Sequence, residues 1–127
     1  MTFSLSIASE AKLLGVHNEL AGVVRKAIQL TTTDFKVIEG LRTMDKQREY
    51  FEAGKSRTMK SRHLTGHAVD LAPIVDGGIS WEHVDFYPVA VAMKNAAKSL
   101  GVEIEWGGDW KSFVDMPHFQ LPWSAYP

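Results

Sequence analysis

The sequence predicts an α+β fold in which helices pack on a small, mainly antiparallel sheet. The length of 127 residues suits one domain spanning residues 1–127. The composition, with 45% apolar and 23% charged residues, is that of a globular protein. Segments of helical period and segments of alternating period both occur, but they do not follow the regular strand–helix–strand order of a parallel sheet. A mixed fold with a mainly antiparallel sheet follows from these observations.

Three segments carry the helical period and have plausible caps. Asn18, Thr43 and Asp85 are the predicted N-cap residues. Pro88 falls in the first turn of the last helix, where proline is tolerated, and Gly101 follows its end. The predicted helices cover residues 19–30, 44–53 and 86–100.

Four shorter segments are predicted as strands. In the second of them, period-two alternation places Val69 and Leu71 on one face, and Asp70 on the other face between two alanines. This strand is expected to close at Pro73. The predicted strands cover residues 34–40, 67–74, 102–106 and 118–121, and a basic, polar loop covers 55–62.

Two motifs carry most of the chemistry: the run from Ser61 to Asp70, and Asp115-Met116-Pro117-His118. Catalytic zinc sites commonly use three His, Asp or Glu ligands and leave the fourth position to water. The sequence therefore proposes His63, Asp70 and His118 as zinc ligands. Asp115 is left as a spare carboxylate that can accept the proton of the attacking water.

The backbone signals around these motifs are consistent with such a site. Gly66 allows a sharp turn or a close approach between His63 and the following strand. Pro117 argues against a continuous helix through the second motif, so this is not the helical H-E-x-x-H arrangement. In residues 118–121, His118 and Gln120 are expected on one face.

Composition excludes several classes of protein. The absence of cysteine rules out a disulfide framework and limits any metal to nitrogen and oxygen ligands. A net charge of −1 argues against nucleic-acid binding driven by electrostatics. No run of about 18 apolar residues predicts a membrane span. The N-terminal residues lack the basic and apolar regions of a secretory signal peptide.

The pattern S-x-H-x-x-G-x-A-x-D, followed by an acidic-x-x-His close to the C-terminus, resembles the VanY-type zinc D-Ala-D-Ala carboxypeptidases. It is most similar to their phage relatives, the L-alanyl-D-glutamate endolysins of the same hedgehog/DD-peptidase fold. The resemblance covers residues 35–121 and includes Gly40-Leu41-Arg42-Thr43, Gln47 and the run 106–110. It implies one Zn²⁺ per chain and a substrate in bacterial peptidoglycan, cut at the L-Ala–D-Glu bond.

The resemblance also implies roles for individual residues. Asp115 matches the catalytic acid/base, although many of the carboxypeptidases have Glu there, and Arg42 matches an arginine that faces the substrate. Gln47 and Ser61 are further candidates for substrate binding. The alternative for Arg42 is a surface salt bridge, for example with Glu39. Trp106 and Trp110 are expected in the core first and in a cleft second.

Other functions remain open from the sequence. A D-Ala-D-Ala carboxypeptidase or dipeptidase would keep the fold and change the bond, and a non-catalytic zinc-containing module would bind cell wall without cutting it. We expect a monomer without membrane insertion. An endolysin without a signal peptide would accumulate in the host cytoplasm and reach the wall after the membrane is breached.

Overall fold

A computed structural model describes residues 2–56 and 58–127. Helices and a small antiparallel sheet confirm the predicted α+β class. The described helices are α1 (Ile7–Lys12), α2 (Asn18–Leu30), α3 (Met44–Glu52) and α4 (His83–Leu100), with 3₁₀ turns at Arg62–Thr65 and Gly107–Asp109. The strands are β1 (Phe35–Glu39), β2 (Ala68–Val75), β3 (Gly78–Ile79), β4 (Glu105–Trp106) and β5 (His118–Gln120).

The sheet has the strand order β1-β2-β5-β4, and β3 forms a short hairpin with the end of β2. All the pairings are antiparallel. The register places Glu39 opposite Asp70, and Asp70 opposite His118. These three residues therefore form a row across β1, β2 and β5, which positions the site described below.

The core lies between the sheet and the long helices α2 and α4, which pack against each other. Val69 and Leu71 of β2 are fully buried in it, as their alternation predicts. Asp70 is on the opposite face, so the sheet has one face for the core and one for polar side chains. None of the helices in the described part of the chain is long and apolar enough to span a membrane.

Helix α1 is absent from the predictions. It has six residues and one strongly exposed apolar side chain, Ile7, so it has no amphipathic repeat to reveal it. Ser6 caps it by accepting a hydrogen bond from the Ser9 amide. The buried Ser9 hydroxyl accepts a hydrogen bond from the Val37 amide at 3.0 Å, which ties α1 to β1.

Two predicted caps are wrong, whereas Thr43 is confirmed as the cap of α3. Helix α2 begins at Asn18, and His17 caps it through Nδ1, which accepts from the Glu19 amide. Helix α4 begins at His83, two residues before the predicted cap Asp85. The Asp85 carboxylate instead accepts a hydrogen bond from Ser80, which holds the loop before the helix.

Strand β2 does not close at Pro73 but continues to Val75. The amide of Ile74 donates to Asp34 O, so by alternation the missing N–H of Pro73 faces away from β1, on the side where the Pro73 carbonyl accepts from the Ser80 amide at 3.0 Å. Asp76 and Gly77 both have positive φ and form the two-residue turn to β3. The predicted strand 102–106 is reduced to Glu105–Trp106. Of the predicted loop 55–62, Arg57 lies outside the described residues.

Candidate active site

The three predicted metal ligands meet on the polar face of the sheet. Asp70 comes from β2, His118 from β5, and His63 from the 3₁₀ turn that precedes β2. His63 Nε2 lies 3.1 Å and His118 Nδ1 lies 3.3 Å from the same oxygen, Asp70 Oδ1. The three donor atoms are within 4.8 Å of one another, an arrangement that can hold a metal ion.

The turn before β2 explains how His63 reaches this site. Ser61 caps the turn by accepting from the His63 amide, and Gly66 ends it in the left-handed conformation, with φ of 75°. A Cβ atom on Gly66 would lie 2.2 Å from the carbonyl oxygen of Gly15. The predicted need for glycine here is therefore confirmed both by the turn and by the close approach.

The geometry fits a tetrahedral ion of zinc's size. Two donors held about 2.0–2.1 Å from Zn²⁺ in a tetrahedron are about 3.3 Å apart, close to the two distances from Asp70. The other nitrogens of both rings are engaged: His63 Nδ1 donates to Gly40 O at 2.8 Å, and His118 Nε2 donates to Gln120 Oε1 at 2.7 Å. Such partners fix the tautomer that leaves the facing nitrogen free for a metal.

The charges within this group support one another. Burial by itself raises the pKa of Asp70, but its contacts with the His118 and His63 rings outweigh burial and hold that pKa below the ordinary value. Burial lowers the pKa of His118, but the hydrogen bond and charge of Asp70 outweigh burial and raise it. Asp70 therefore stays ionised, and a metal ion must displace a proton from His118 where that ring is charged.

Asp115 lies beside these three residues without belonging to the group. Its Oδ2 is 4.0 Å from His118 Nδ1, and 39% of its side chain is exposed. The turn at Met116–Pro117 keeps it off a helix with His118, as predicted. Burial and the negative charge of Asp70 raise the pKa of Asp115, so its carboxylate is a better proton acceptor than an ordinary aspartate.

The position of Asp115 depends on a close approach to Gly107. The Asp115 amide donates to Gly107 O at 3.0 Å. A Cβ atom on Gly107 would lie 2.3 Å from the Asp115 carbonyl oxygen. Nearby, Trp106 is in the core, as expected, and its indole donates to Met116 O at 2.7 Å. The start of the second motif is thus held against the end of β4.

Arg42 lies on the β1 side of the site, and its side chain is only 8% exposed. It forms the salt bridge with Glu39, with 2.5 Å between Nε and Oε1, and its guanidinium lies 4.8 Å from the ring centre of Tyr50. It also lines the cavity that contains the three predicted ligands. The salt bridge and a position facing the cavity are therefore compatible, because one guanidinium has several donors.

Gln47 is fully buried and is not among the residues that line the cavity. Its Oε1 accepts from Arg42 at 2.6 Å, and its Nε2 donates to Ser56 Oγ at 2.9 Å and Thr58 O at 2.5 Å. Direct substrate binding, the role predicted for Gln47, does not fit this burial; its contacts instead fix Arg42 and the loop after α3. Ser61 lines the cavity, as predicted.

The cleft around these residues has a volume of about 770 Å³. Trp110 lines it, the second of the two positions expected for that residue, whereas Arg62 and Trp123 were not singled out in the sequence. Trp110 lies against His118, with 5.2 Å between ring centres. Arg62 is buried, donates to Leu121 O at 3.0 Å and lies 4.0 Å from the ring centre of Trp123. The cleft is also lined by Tyr50, Lys55, Ser56, Thr58, Lys60, Phe113 and Gln120.

A His/Asp/His donor set at the floor of an open cleft, with a free carboxylate beside it, is typical of metal-dependent hydrolases. The profile of a family described as phage L-alanyl-D-glutamate peptidase matches residues 1–120. This chain belongs to that family.

Similar proteins agree with this assignment. The L-alanyl-D-glutamate peptidase of Escherichia phage T5 is 35% identical over 91% of this chain and 87% of its own length. The L-alanyl-D-glutamate peptidase of Listeria phage A118 is 31% identical over 98% of this chain but only 43% of its own length. The peptidoglycan L-alanyl-D-glutamate endopeptidase CwlK of Bacillus subtilis is 33% identical over 69% of this chain and 60% of its own.

Solved structures extend the comparison to the fold. The crystal structure of the L-Ala D-Glu endopeptidase ChiX of Serratia marcescens matches with a TM-score of 0.92 and 48% identity, over 97% of this chain and 93% of that one. The vancomycin resistance D,D-dipeptidase VanXYg matches with a TM-score of 0.52 and 13% identity, over 84% of this chain and 50% of that one. The second match shows a shared fold alone.

Proposed function

We propose that this protein is a zinc-dependent peptidase that hydrolyses the L-Ala–D-Glu bond in the peptide stems of bacterial peptidoglycan. The observation that carries the proposal is the grouping of His63, Asp70 and His118 within 4.8 Å, with Asp115 beside them but outside the group. Family membership supports the choice of bond, since the relatives from phage T5, phage A118 and B. subtilis are named for it.

In this proposal His63 Nε2, Asp70 and His118 Nδ1 hold one Zn²⁺ per chain. When bound, the metal supplies a Lewis acid that polarises the scissile carbonyl and makes water more acidic. Gly40 O and Gln120 keep the two imidazole rings oriented through their other nitrogens. All three side chains line the cleft, so substrate and water can reach them from that side.

Asp115 moves the proton in this mechanism. Its carboxylate accepts a proton from the attacking water and returns it to the amine that leaves with D-Glu. Burial and the charge of Asp70 raise the pKa of Asp115, which favours the first transfer, the uptake of the proton from water. Because 39% of its side chain is exposed, it can reach a water molecule in the cleft.

Arg42 stabilises the carbonyl oxygen as it gains negative charge during attack. Its guanidinium is held by Glu39 and Gln47, so the donor that faces the cleft is preorganised and loses little freedom when the reaction occurs. Ser61 contacts the peptide backbone of the substrate from the same side, since its hydroxyl lies 3.4 Å from the Arg42 guanidinium.

We further propose that residues 1–127 form one peptidase domain that acts as a monomer, without nucleic acid as a partner and without membrane insertion. In the phage setting that the family suggests, the protein accumulates in the host cytoplasm. It reaches the wall after another component breaches the membrane. Fractionation of infected or expressing cells, before and after membrane disruption, tests this placement.

Digestion of purified sacculi tests the proposed function directly. Mass spectrometry of the released fragments should show new L-Ala carboxyl termini and new D-Glu amino termini. Release of terminal D-Ala would instead indicate a carboxypeptidase, and binding to sacculi without released fragments would indicate a non-catalytic module. Zinc content measured on the same preparation should be close to one per chain, and chelation should remove zinc and activity together.

A further inference from the structure

The cleft is chemically asymmetric along the sheet. Asp70 and His118 occupy its middle on β2 and β5, and the strand order β1-β2-β5-β4 places different side chains on either side of them. Arg42 follows β1 on one side, whereas Trp110 follows β4 on the other and packs on His118. The β1 side is therefore cationic and the β4 side is aromatic.

The cationic side contains two lysines that have no role in the proposed mechanism, in which Arg42 is the only cationic side chain. Lys55 and Lys60 line the cleft and are exposed to solvent. Among the described residues neither forms an ion pair, whereas Arg42 is paired with Glu39. Two unpaired ammonium groups at the edge of a substrate cleft attract an anionic group by charge.

The loop that carries these lysines is anchored to Arg42. The fully buried Gln47 accepts a hydrogen bond from the Arg42 guanidinium and donates to Ser56 and to the Thr58 carbonyl. The Lys55 amide also donates to Tyr50 O at 2.8 Å, at the end of α3. The backbone that carries the two lysines is thereby anchored beside Arg42, whose guanidinium contacts the scissile carbonyl in the proposed mechanism.

The proposed substrate has an anion close to that carbonyl. D-Glutamate has two carboxyl groups, and only one of them is used when the residue is joined to the next residue of the stem. Its amine forms the scissile bond with L-Ala, so the unused carboxylate is a few bonds from the reacting amide. A residue that enters the β1 side of the cleft brings this carboxylate towards the loop.

We propose that Lys55 and Lys60 form a carboxylate-binding subsite that recognises the free carboxyl group of the D-Glu residue next to the scissile bond. This subsite rests on the proposed function, and it makes the enzyme distinguish stems with a free carboxylate from stems in which that group is an amide. The amide has nearly the same shape but no charge, so it removes only the attraction to the lysines.

Two synthetic stem peptides that differ only in this group, carboxylate or carboxamide, test the subsite. For the zinc-loaded wild-type protein we expect kcat/KM to be about five- to tenfold higher for the carboxylate, as two exposed charge pairs would provide. The Lys55→Met/Lys60→Met variant should lose this preference while it cleaves the carboxamide peptide at the wild-type rate. The Lys55→Arg/Lys60→Arg variant should retain most of the preference.

Lys98→Met is the matched control, because Lys98 is an exposed lysine on α4 that does not line the cleft. It should keep the wild-type ratio. Raising the salt concentration should reduce the wild type's ratio of kcat/KM for the carboxylate peptide to kcat/KM for the carboxamide peptide. The same ratio should not change in the Lys55→Met/Lys60→Met variant. Equal rates of the wild type on both peptides, or an unchanged ratio in the Met double variant, would overturn the subsite and leave the proposed function intact. Cleavage of neither peptide by a zinc-loaded wild type would overturn the proposed bond and the subsite together.

Discussion

The metal-binding group and the catalytic groups proposed here are held by different kinds of structure. Asp70 and His118 are register partners on neighbouring strands in the middle of the sheet. Asp115 lies before a turn, and Arg42 lies between β1 and α3, so each is positioned by a few individual contacts. The ladder of the sheet therefore positions two of the three proposed ligands, and His63 comes from the turn that leads into β2. We expect the catalytic groups to be altered more easily than this arrangement.

This difference leads to a simple expectation for variants. Changes at the ligands should affect metal content and activity together. Changes at Asp115 and Arg42, or at the contacts that hold them, should affect activity and leave the metal in place.

The ligand variants should have the largest effect. His63→Ala and His118→Ala each remove one of three donors, so we expect each purified protein to lose its zinc and its activity on sacculi. Metal analysis and digestion are measured on one preparation. His67→Ala is the control, because His67 lies in the same motif but its ring contacts Thr65 and His17 rather than the donor group. Full zinc occupancy in the His63→Ala/His118→Ala double variant would show that the ligands are wrongly assigned.

Asp115→Asn should separate catalysis from metal binding. The amide has nearly the same shape but cannot accept the proton, so kcat should fall by roughly 10²–10⁴ while zinc remains bound. Asp115→Glu restores a carboxylate one methylene longer and should recover part of the activity. Zinc content and sacculus digestion, measured on the same preparation, show whether Asp115 acts in catalysis or in metal binding. A zinc-loaded Asp115→Asn protein that digests wall at the wild-type rate would exclude the proposed base.

Arg42→Ala should lower kcat/KM by about 10²–10³, the usual cost of removing one donor to a developing oxyanion. Zinc content should not change. Arg42→Lys should recover only part of the loss, because lysine keeps the charge but cannot bond to Glu39, Gln47 and the substrate at once. Kinetics on a synthetic stem peptide measure both variants, and wild-type kinetics for Arg42→Ala would leave that residue with a purely structural salt bridge.

The sequence predicted which three side chains would lie together because both motifs are local. The alternation of β2 fixes the face of Asp70, and the spacing from His63 contains the glycine that the turn requires. Other features depend on contacts between distant segments, which no local pattern records. The burial of Gln47 is decided by a loop nine to eleven residues away, and that of Arg62 by the C-terminal segment.

In the fold, too, elements with a local sequence signal were predicted and elements fixed by distant contacts were not. The long helices and the strands β1, β2 and β5 have enough periodic residues to be predicted, although their ends shift by a few residues. Helix α1 is too short for a periodic signal and is fixed by the bond from Val37 to Ser9. Strand β3 did have a local signal, since Asp76-Gly77 is a favoured sequence for a two-residue hairpin turn, but the expected stop at Pro73 concealed it.

Gln120→Leu should weaken metal binding without removing a ligand. Gln120 Oε1 accepts the proton on His118 Nε2, and loss of such a partner typically costs 10–100-fold in metal affinity or activity. Zinc affinity measured by competition with a chelator should fall in this range. Gln120→Glu keeps an acceptor for the same proton and should bind zinc more tightly than Gln120→Leu. Equal affinity of the wild type and Gln120→Leu would show that the ring of His118 needs no such support.

Gly107→Ala should have the smallest effect and gives the sharpest test of how Asp115 is held. The new Cβ atom would lie 2.3 Å from the Asp115 carbonyl oxygen, so the backbone of Asp115 has to move. Gly107 follows β4 and shares no hydrogen bond with the side chains of Asp70 or His63. The Asp115 carbonyl also accepts from the His118 amide at 3.2 Å, but the pairing of β5 with β2 holds His118 in place. We therefore expect kcat to fall about tenfold from a displacement of part of an ångström, with zinc content unchanged.

The control for this variant is Gly78→Ala, because a Cβ atom on Gly78 meets nothing within 4 Å. It should keep wild-type activity, zinc content and thermal stability. If Gly107→Ala loses zinc together with activity, the position of Asp115 and the positions of the proposed ligands depend on each other. The proposed ligands and the catalytic groups would then not be held independently. If kcat falls and zinc remains, a crystal structure of the variant should show Asp115 displaced while His63, Asp70 and His118 keep their positions.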